Sequence, residues 1–204
     1  MAGLPQFPDA LAIAHRHHRH TFLSQNRRVD AFWRDPQVVF DGAMTLRWGR
    51  HLLRLSHNPG KTMDHVSVDV PTADLVCAGA NIVGNIVYLS KADPAQIRTA
   101  LQTMRSFGRS TVVGGHMGRF PSVVLDNALH YLDRLRECVV GIRIDAVGHD
   151  FAERVASIPV ERCLAPGVEA APFVRQWHRF NLDVIVGQSV FALDAVLAAR
   201  GAHA

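Results

Sequence analysis

His116 follows a pair of glycines, Gly114 and Gly115, that close the apolar run Thr111, Val112 and Val113. An imidazole at the end of a strand is placed to ligate iron or cobalt, or to move a proton as a general base. The competing reading is a turn residue that faces solvent. Arg119, three positions on, would steer an anionic group toward it. Asp145, His149 and Asp150 form a second group in a later loop, and Asp41 ends an earlier apolar run. His116 with Asp41 or Asp145 would make an acid/base pair for a small-molecule transferase or hydrolase. A third group is His15, His17, His18 and His20, interleaved with Arg16 and Arg19. The arginines raise the cost of placing a dication there, and metal sites want carboxylate partners, so a solvated basic surface or a partner-binding face is the better reading. Against nucleic acid it would act only as a weak phosphate-binding arm.

Other catalytic signatures are missing. There is no Gly-x-Ser-x-Gly, HExxH, Walker loop or GxGxxG. Cys77 and Cys138 sit in apolar surroundings and read as inert core, and the three cysteines, with Cys163, are too far apart for a disulfide framework or a CxxC zinc site.

The elements that must position these groups are read from spacing and punctuation. Residues 1–35 hold five arginines and four histidines with scattered apolar anchors, and are predicted to be a basic helical extension. Residues 36–204 are predicted to be an α/β domain ending in a helix. Within it, residues 37–40, 65–70, 85–89, 111–113 and 138–142 read as strands. Residues 46–55 and 72–80 read as helices, as do residues 123–135, 151–155 and 172–197, with a strand at 184–186 as the alternative inside the last. The helix after Asp93 is the clearest, with Asp93 as N-cap, Pro94 at the first position, and Ile97, Leu101 and Met104 as its apolar stripe. Strand-like and helix-like runs in alternation predict a flavodoxin-like three-layer parallel sheet of about five strands, with ligands beyond the strands' carboxyl ends.

Composition sets outer limits. The chain has 204 residues, 48% of them hydrophobic, enough for a real core, which excludes intrinsic disorder. No run of 18 uncharged apolar residues is present, and the amino-terminal stretch lacks the pattern of a secretory signal; a cytoplasmic protein without membrane contact is expected. A net charge of +4, with only two lysines (Lys61 and Lys91) among 22 basic residues, is too mild for a nucleic-acid footprint.

The stretch from Val68 to Gly115 resembles the cobalamin-binding domain of methyltransferases, mutases and cobalamin-dependent regulators. Asp69-Val70-Pro71, Leu89-Ser90, Gly108 and Gly114-Gly115 stand where that family carries its turns. The resemblance implies that Ser90 and the paired glycines line a slot for the cofactor's nucleotide tail. It extends over residues 38–120 and departs from the family after the first strand. There Asp41-Gly42-Ala43-Met44-Thr45-Leu46 replaces Asp-x-His-x-x-Gly, without the histidine that ligates cobalt from below. Residues 73–79 with 111–114 faintly resemble the middle of a class I methyltransferase. Strand-Gly-Gly and strand-Ser are also ordinary turns in any parallel sheet.

Together these readings lead to an expectation of a non-catalytic ligand-sensing or partner-binding regulatory domain, a degenerate tetrapyrrole module. It would hold cobalamin or heme, or no cofactor at all, at Asp41, Ser90, Gly114, Gly115 and His116, with His116 as metal ligand. A protein partner or a homo-oligomer is expected. The alternatives are a transferase or hydrolase at the same edge, or a scaffold subunit.

Overall fold

A computed structural model describes residues 6–23, 35–90, 92–145 and 150–192. His149 lies outside them. The described chain contains strands β1 (Ile13–His15), β2 (Val38–Phe40), β3 (Ala43–Trp48), β4 (His51–His57), β5 (Val66–Val70), β6 (Leu75–Gly79), β7 (Thr111–Gly114) and β8 (Arg119–Pro121). Its helices are α1 (His18–Leu23), α2 (Pro94–Ser106), α3 (Val123–Asp145), α4 (Phe151–Ala156) and α5 (Pro172–Gln188). β1 and β2 pair in parallel as a small ribbon. The other six strands form one sheet in sequence order, β3 to β8.

That sheet is not the parallel flavodoxin-like one that the alternation of runs predicts. Every neighbouring pair is antiparallel except β6 and β7. Two local features cause the difference. Gly49, at φ +57°, turns the chain between β3 and β4, so the run expected as a helix at 46–55 folds into a hairpin. Three of its four leucines also fit a period of two, with Leu46 opposite Leu53 and Met44 opposite Leu55. A 3-10 turn over Pro71–Ala73, with Asp74 left-handed at φ +49°, then reverses the chain into β6, where a helix was expected. Within the six-stranded sheet, α2 lies in the parallel crossover from β6 to β7.

Residues 85–89, expected as a strand, lie in a buried loop. Ile82, Val83, Ile86, Val87 and Leu89 are all fully buried there, and Asn181 of α5 supplies the hydrogen bonds that a sheet neighbour would have given. Residues 138–142, also expected as a strand, continue α3. α2 forms as its sequence demands. Asp93 accepts from the Ala95 amide at 2.8 Å, Pro94 opens the helix, and Ile97, Leu101 and Met104 are buried with Ala100.

Helices cover one face of the sheet, where Val76, Ala78 and Val112 are completely buried with α2 and α3. Each such side chain removed from water contributes about 1.5–3 kcal/mol. Asp69 is buried among them because Arg109 donates to both of its carboxylate oxygens, at 2.6 and 3.3 Å. The opposite face carries Leu53, Leu55, Val68, Leu75, Cys77 and Val113 in register, all partly exposed. No helix among the described residues is long and apolar enough to cross a membrane.

Candidate functional site

One end of the sheet gathers most of the polar chemistry. The start of β3, the end of β4, the start of β5 and the ends of β6 and β7 all reach it, as the register requires. Three loops meet there, at residues 58–65, 80–90 and 115–118, with the first turn of α5 beside them.

Backbone packing builds this corner. The Gly115 amide donates to the Gly79 carbonyl at 2.7 Å. A Cβ on Gly115 would lie 2.9 Å from the Gly79 carbonyl carbon, so glycine is required for β7 to cross the end of β6. Gly60 presses on Asn81 in the same way, and Asn81 Oδ1 accepts from the Lys61 amide at 2.8 Å. Asn81 Nδ2 lies 3.3 Å from His65 Nδ1. Burial pushes the pKa of His65 below its ordinary value, which keeps that imidazole neutral.

The side chains that face outward form a ledge. Trp177 packs edge-on against Tyr88, with ring centroids 4.3 Å apart, and His116 lies 5.5 Å from Trp177 and 5.8 Å from Phe173. At the far end the Lys61 ammonium sits 4.7 Å from the Tyr88 ring centroid. Burial lowers its pKa, and no carboxylate pairs with it among the described residues.

A second cluster lies along the same end of the sheet. His15 is buried and stacks flat on His57, with ring centroids 3.6 Å apart. Its Nε2 stands 3.6 Å from Asp41, which is exposed and paired with Arg16 at 2.9 Å. His57 Nε2 donates to the Met63 carbonyl at 2.7 Å. Burial, helped by the neighbouring imidazoles of His57 and His17, depresses the His15 pKa.

The residues singled out in the sequence are therefore dispersed. His116, Gly114 and Gly115 stand in the corner, the glycines serving chain crossing. Ser90 ends the buried loop with φ +42° and does not close a strand. Asp41 holds the amino-terminal ribbon, and Asp145 ends α3, 3.9 Å from Arg154. Asp150 precedes α4, and Arg119 is exposed at the start of β8. Lys61, Asn81, Tyr88 and Trp177 were missed. A lone lysine after Asn58-Pro59-Gly60, in a chain whose cations are nearly all arginine, was the available signal for the first.

The sequence matches no protein-family model and no curated protein. Solved structures do align. A metallo-beta-lactamase from Pontibacter korlensis superposes with a TM-score of 0.52 at 19% identity, covering 65% of this chain and 61% of that one. The stereoselective inverting sec-alkylsulfatase Pisa1 from Pseudomonas sp. gives 0.51 at 8% identity, covering 76% of this chain and 26% of that one. The fold is that of the metallo-beta-lactamases. The chain spans about three fifths of the length of the metallo-beta-lactamase it matches.

This fold overturns the resemblance to cobalamin-binding domains, and with it the tetrapyrrole sensor and the cobalamin or heme at Asp41, Ser90 and His116. A slot at the carboxyl edge of a parallel sheet needs several parallel strands, and only β6 and β7 are parallel neighbours in the main sheet. The metallo-beta-lactamase fold implies zinc instead. A zinc site needs three or four imidazole, thiolate or carboxylate donors around one point. Among the described residues no three such side chains come together in that way. At the corner, His65 is already engaged with Asn81 and feels the Lys61 ammonium. The described residues do not fit the metal.

Proposed function

We propose that the protein is a hydrolase of metallo-beta-lactamase fold that works at the sheet-end corner through His116, without a bound dication. The observation that carries the reading is the placement of His116. Its partly exposed imidazole stands against Trp177 and Phe173, on a loop anchored by the Gly115–Gly79 crossing. The hydrolytic names of the two aligned structures, a lactamase and a sulfatase, support the reaction class.

In this reading His116 removes a proton from water as the oxygen attacks the carbonyl carbon of an ester. The ester C–O bond breaks, and the proton returns from the imidazolium to the leaving alkoxide. The aromatic ledge of Tyr88, Trp177 and Phe173 holds the substrate body and limits water at the reacting carbon. The test is hydrolysis of a panel of chromogenic aryl esters by the wild type and His116→Ala. A general base is worth about 10²–10⁴ in rate, so the variant is expected to lose at least that lower factor in kcat with its fold intact. Equal rates in the two proteins would refute the assignment.

A further inference from the structure

The corner has a charge character that its fold does not require. Lys61 is half-buried, its ammonium over Tyr88, with no carboxylate paired to it among the described residues. α5 begins next to the ledge, since its second residue, Phe173, is in ring contact with His116. That helix start has no side-chain cap on Ala171 and no acidic residue in its first turn. Uncapped amides at a helix start carry a partial positive charge, and a carboxylate near it in the fold, Glu161, is paired with Arg175. Asp64, on the Lys61 loop, acts on His65.

We propose that this corner binds a small carboxylate with an aromatic or apolar body, its acid group at the Lys61 ammonium and its body along Tyr88, Trp177 and His116. The inference rests on the hydrolase reading for its location and adds the substrate class. The carboxylate would replace water around an ammonium that is already partly stripped of it. The ring faces and the carboxylate select together. A neutral ligand of the same shape gains the ledge but leaves Lys61 unpaired, whereas a small inorganic anion gains the charge and lacks the ledge.

The experiment is isothermal titration calorimetry of the full-length protein with phenylacetate and with its neutral isostere phenylacetamide, at constant ionic strength. The expected result is that the acid binds at least tenfold more tightly than the amide. Lys61→Met should abolish that preference while leaving the amide's affinity unchanged, and Lys61→Arg should restore it in part. The comparison of acid with amide in the wild type needs no variant, so it stands even if Lys61→Met misfolds. Equal affinities for acid and amide, absence of binding by both, or a preference that survives in folded Lys61→Met would overturn the proposal. Hydrolysis of neutral esters that depends on His116 would persist in those cases if only the anion subsite were wrong. Selective carboxylate binding without any ester hydrolysis would sink the hydrolase reading alone.

Discussion

Replacing Asn181 by leucine removes the pin that holds the 80–90 loop, and with it the Tyr88 end of the ledge. The buried amide of Asn181 accepts from the Leu89 amide at 2.9 Å and donates to the Val87 carbonyl at 2.8 Å and to Tyr131 Oη at 3.0 Å. The chain of bonds continues in one direction. His178 Nε2 lies 2.9 Å from the Ile158 carbonyl and must donate to it, so neutral His178 accepts at Nδ1 from the Tyr131 hydroxyl, 2.8 Å away. Every member is satisfied only in that order. Leucine is close to asparagine in size, so little cavity forms, but two buried backbone groups, Leu89 N–H and Val87 C=O, lose their partners. At about 1–3 kcal/mol each, the loss is about 2–6 kcal/mol, a large share of the ~5–15 kcal/mol that stabilises a domain. With an m-value near ~2 kcal/mol/M, the urea midpoint followed by circular dichroism should fall by about 1–3 M. Tyr131→Phe should cost less, and the two changes should not add, because they share the Asn181–Tyr131 bond. A midpoint within about 0.3 M of wild type for Asn181→Leu, with unchanged slope, would show that Asn181 does not pin the loop.

Other expectations follow from the same contacts. Gly115→Ala places a Cβ 2.9 Å from the Gly79 carbonyl carbon and 3.1 Å from the Ala80 nitrogen, backbone atoms that cannot step aside. It should cost about 1–3 kcal/mol in thermal or urea melts, whereas Gly141→Ala, in α3 with nothing within 4 Å, should stabilise by about 0.5–1 kcal/mol. Stability should also fall on acidification. His65, His178 and His15 all have pKa values lowered, with burial as the largest cause, so the unfolded chain binds protons that the folded one refuses. Their contribution is complete above the unfolded value of about 6.5 and is lost as the pH falls below it. Urea midpoints at pH 7.5 and 5.5 will check this, and an equal or higher midpoint at the lower pH would contradict it.

The sequence disclosed those elements whose signals were local and unambiguous. α2 announced itself through Asp93, Pro94 and the Ile97, Leu101, Met104 stripe, because a cap and a period of 3.6 leave one solution. Strands 66–70 and 111–114 were legible from β-branched runs. The run at 46–55 was not, since three of its four leucines fit a strand pairing as well as helical spacing, and the turn at Gly49 decides between them. The loop at 80–90 was hidden by its own burial. A continuous apolar run there reads as a strand, and the residue that makes a loop tolerable, Asn181, lies about ninety positions away. Topology suffered most, because the reversal at Pro71–Asp74 looks like the start of a helix. Of the site, His116 and its two glycines were visible through their place after Val113. Lys61, Tyr88 and Trp177 were not, since ring contacts between a turn, a buried loop and α5 leave no trace in spacing.

In the proposed reaction the corner works through His116 without a dication. The measurement that tests it most directly is the hydrolysis rate of an aryl ester that the wild type cleaves, taken on protein exhaustively dialysed against a chelator and then on the same sample with stoichiometric zinc restored. The same rate is expected in both, and the same large loss with His116→Ala in both. A rate that vanishes on chelation and returns with zinc would contradict it.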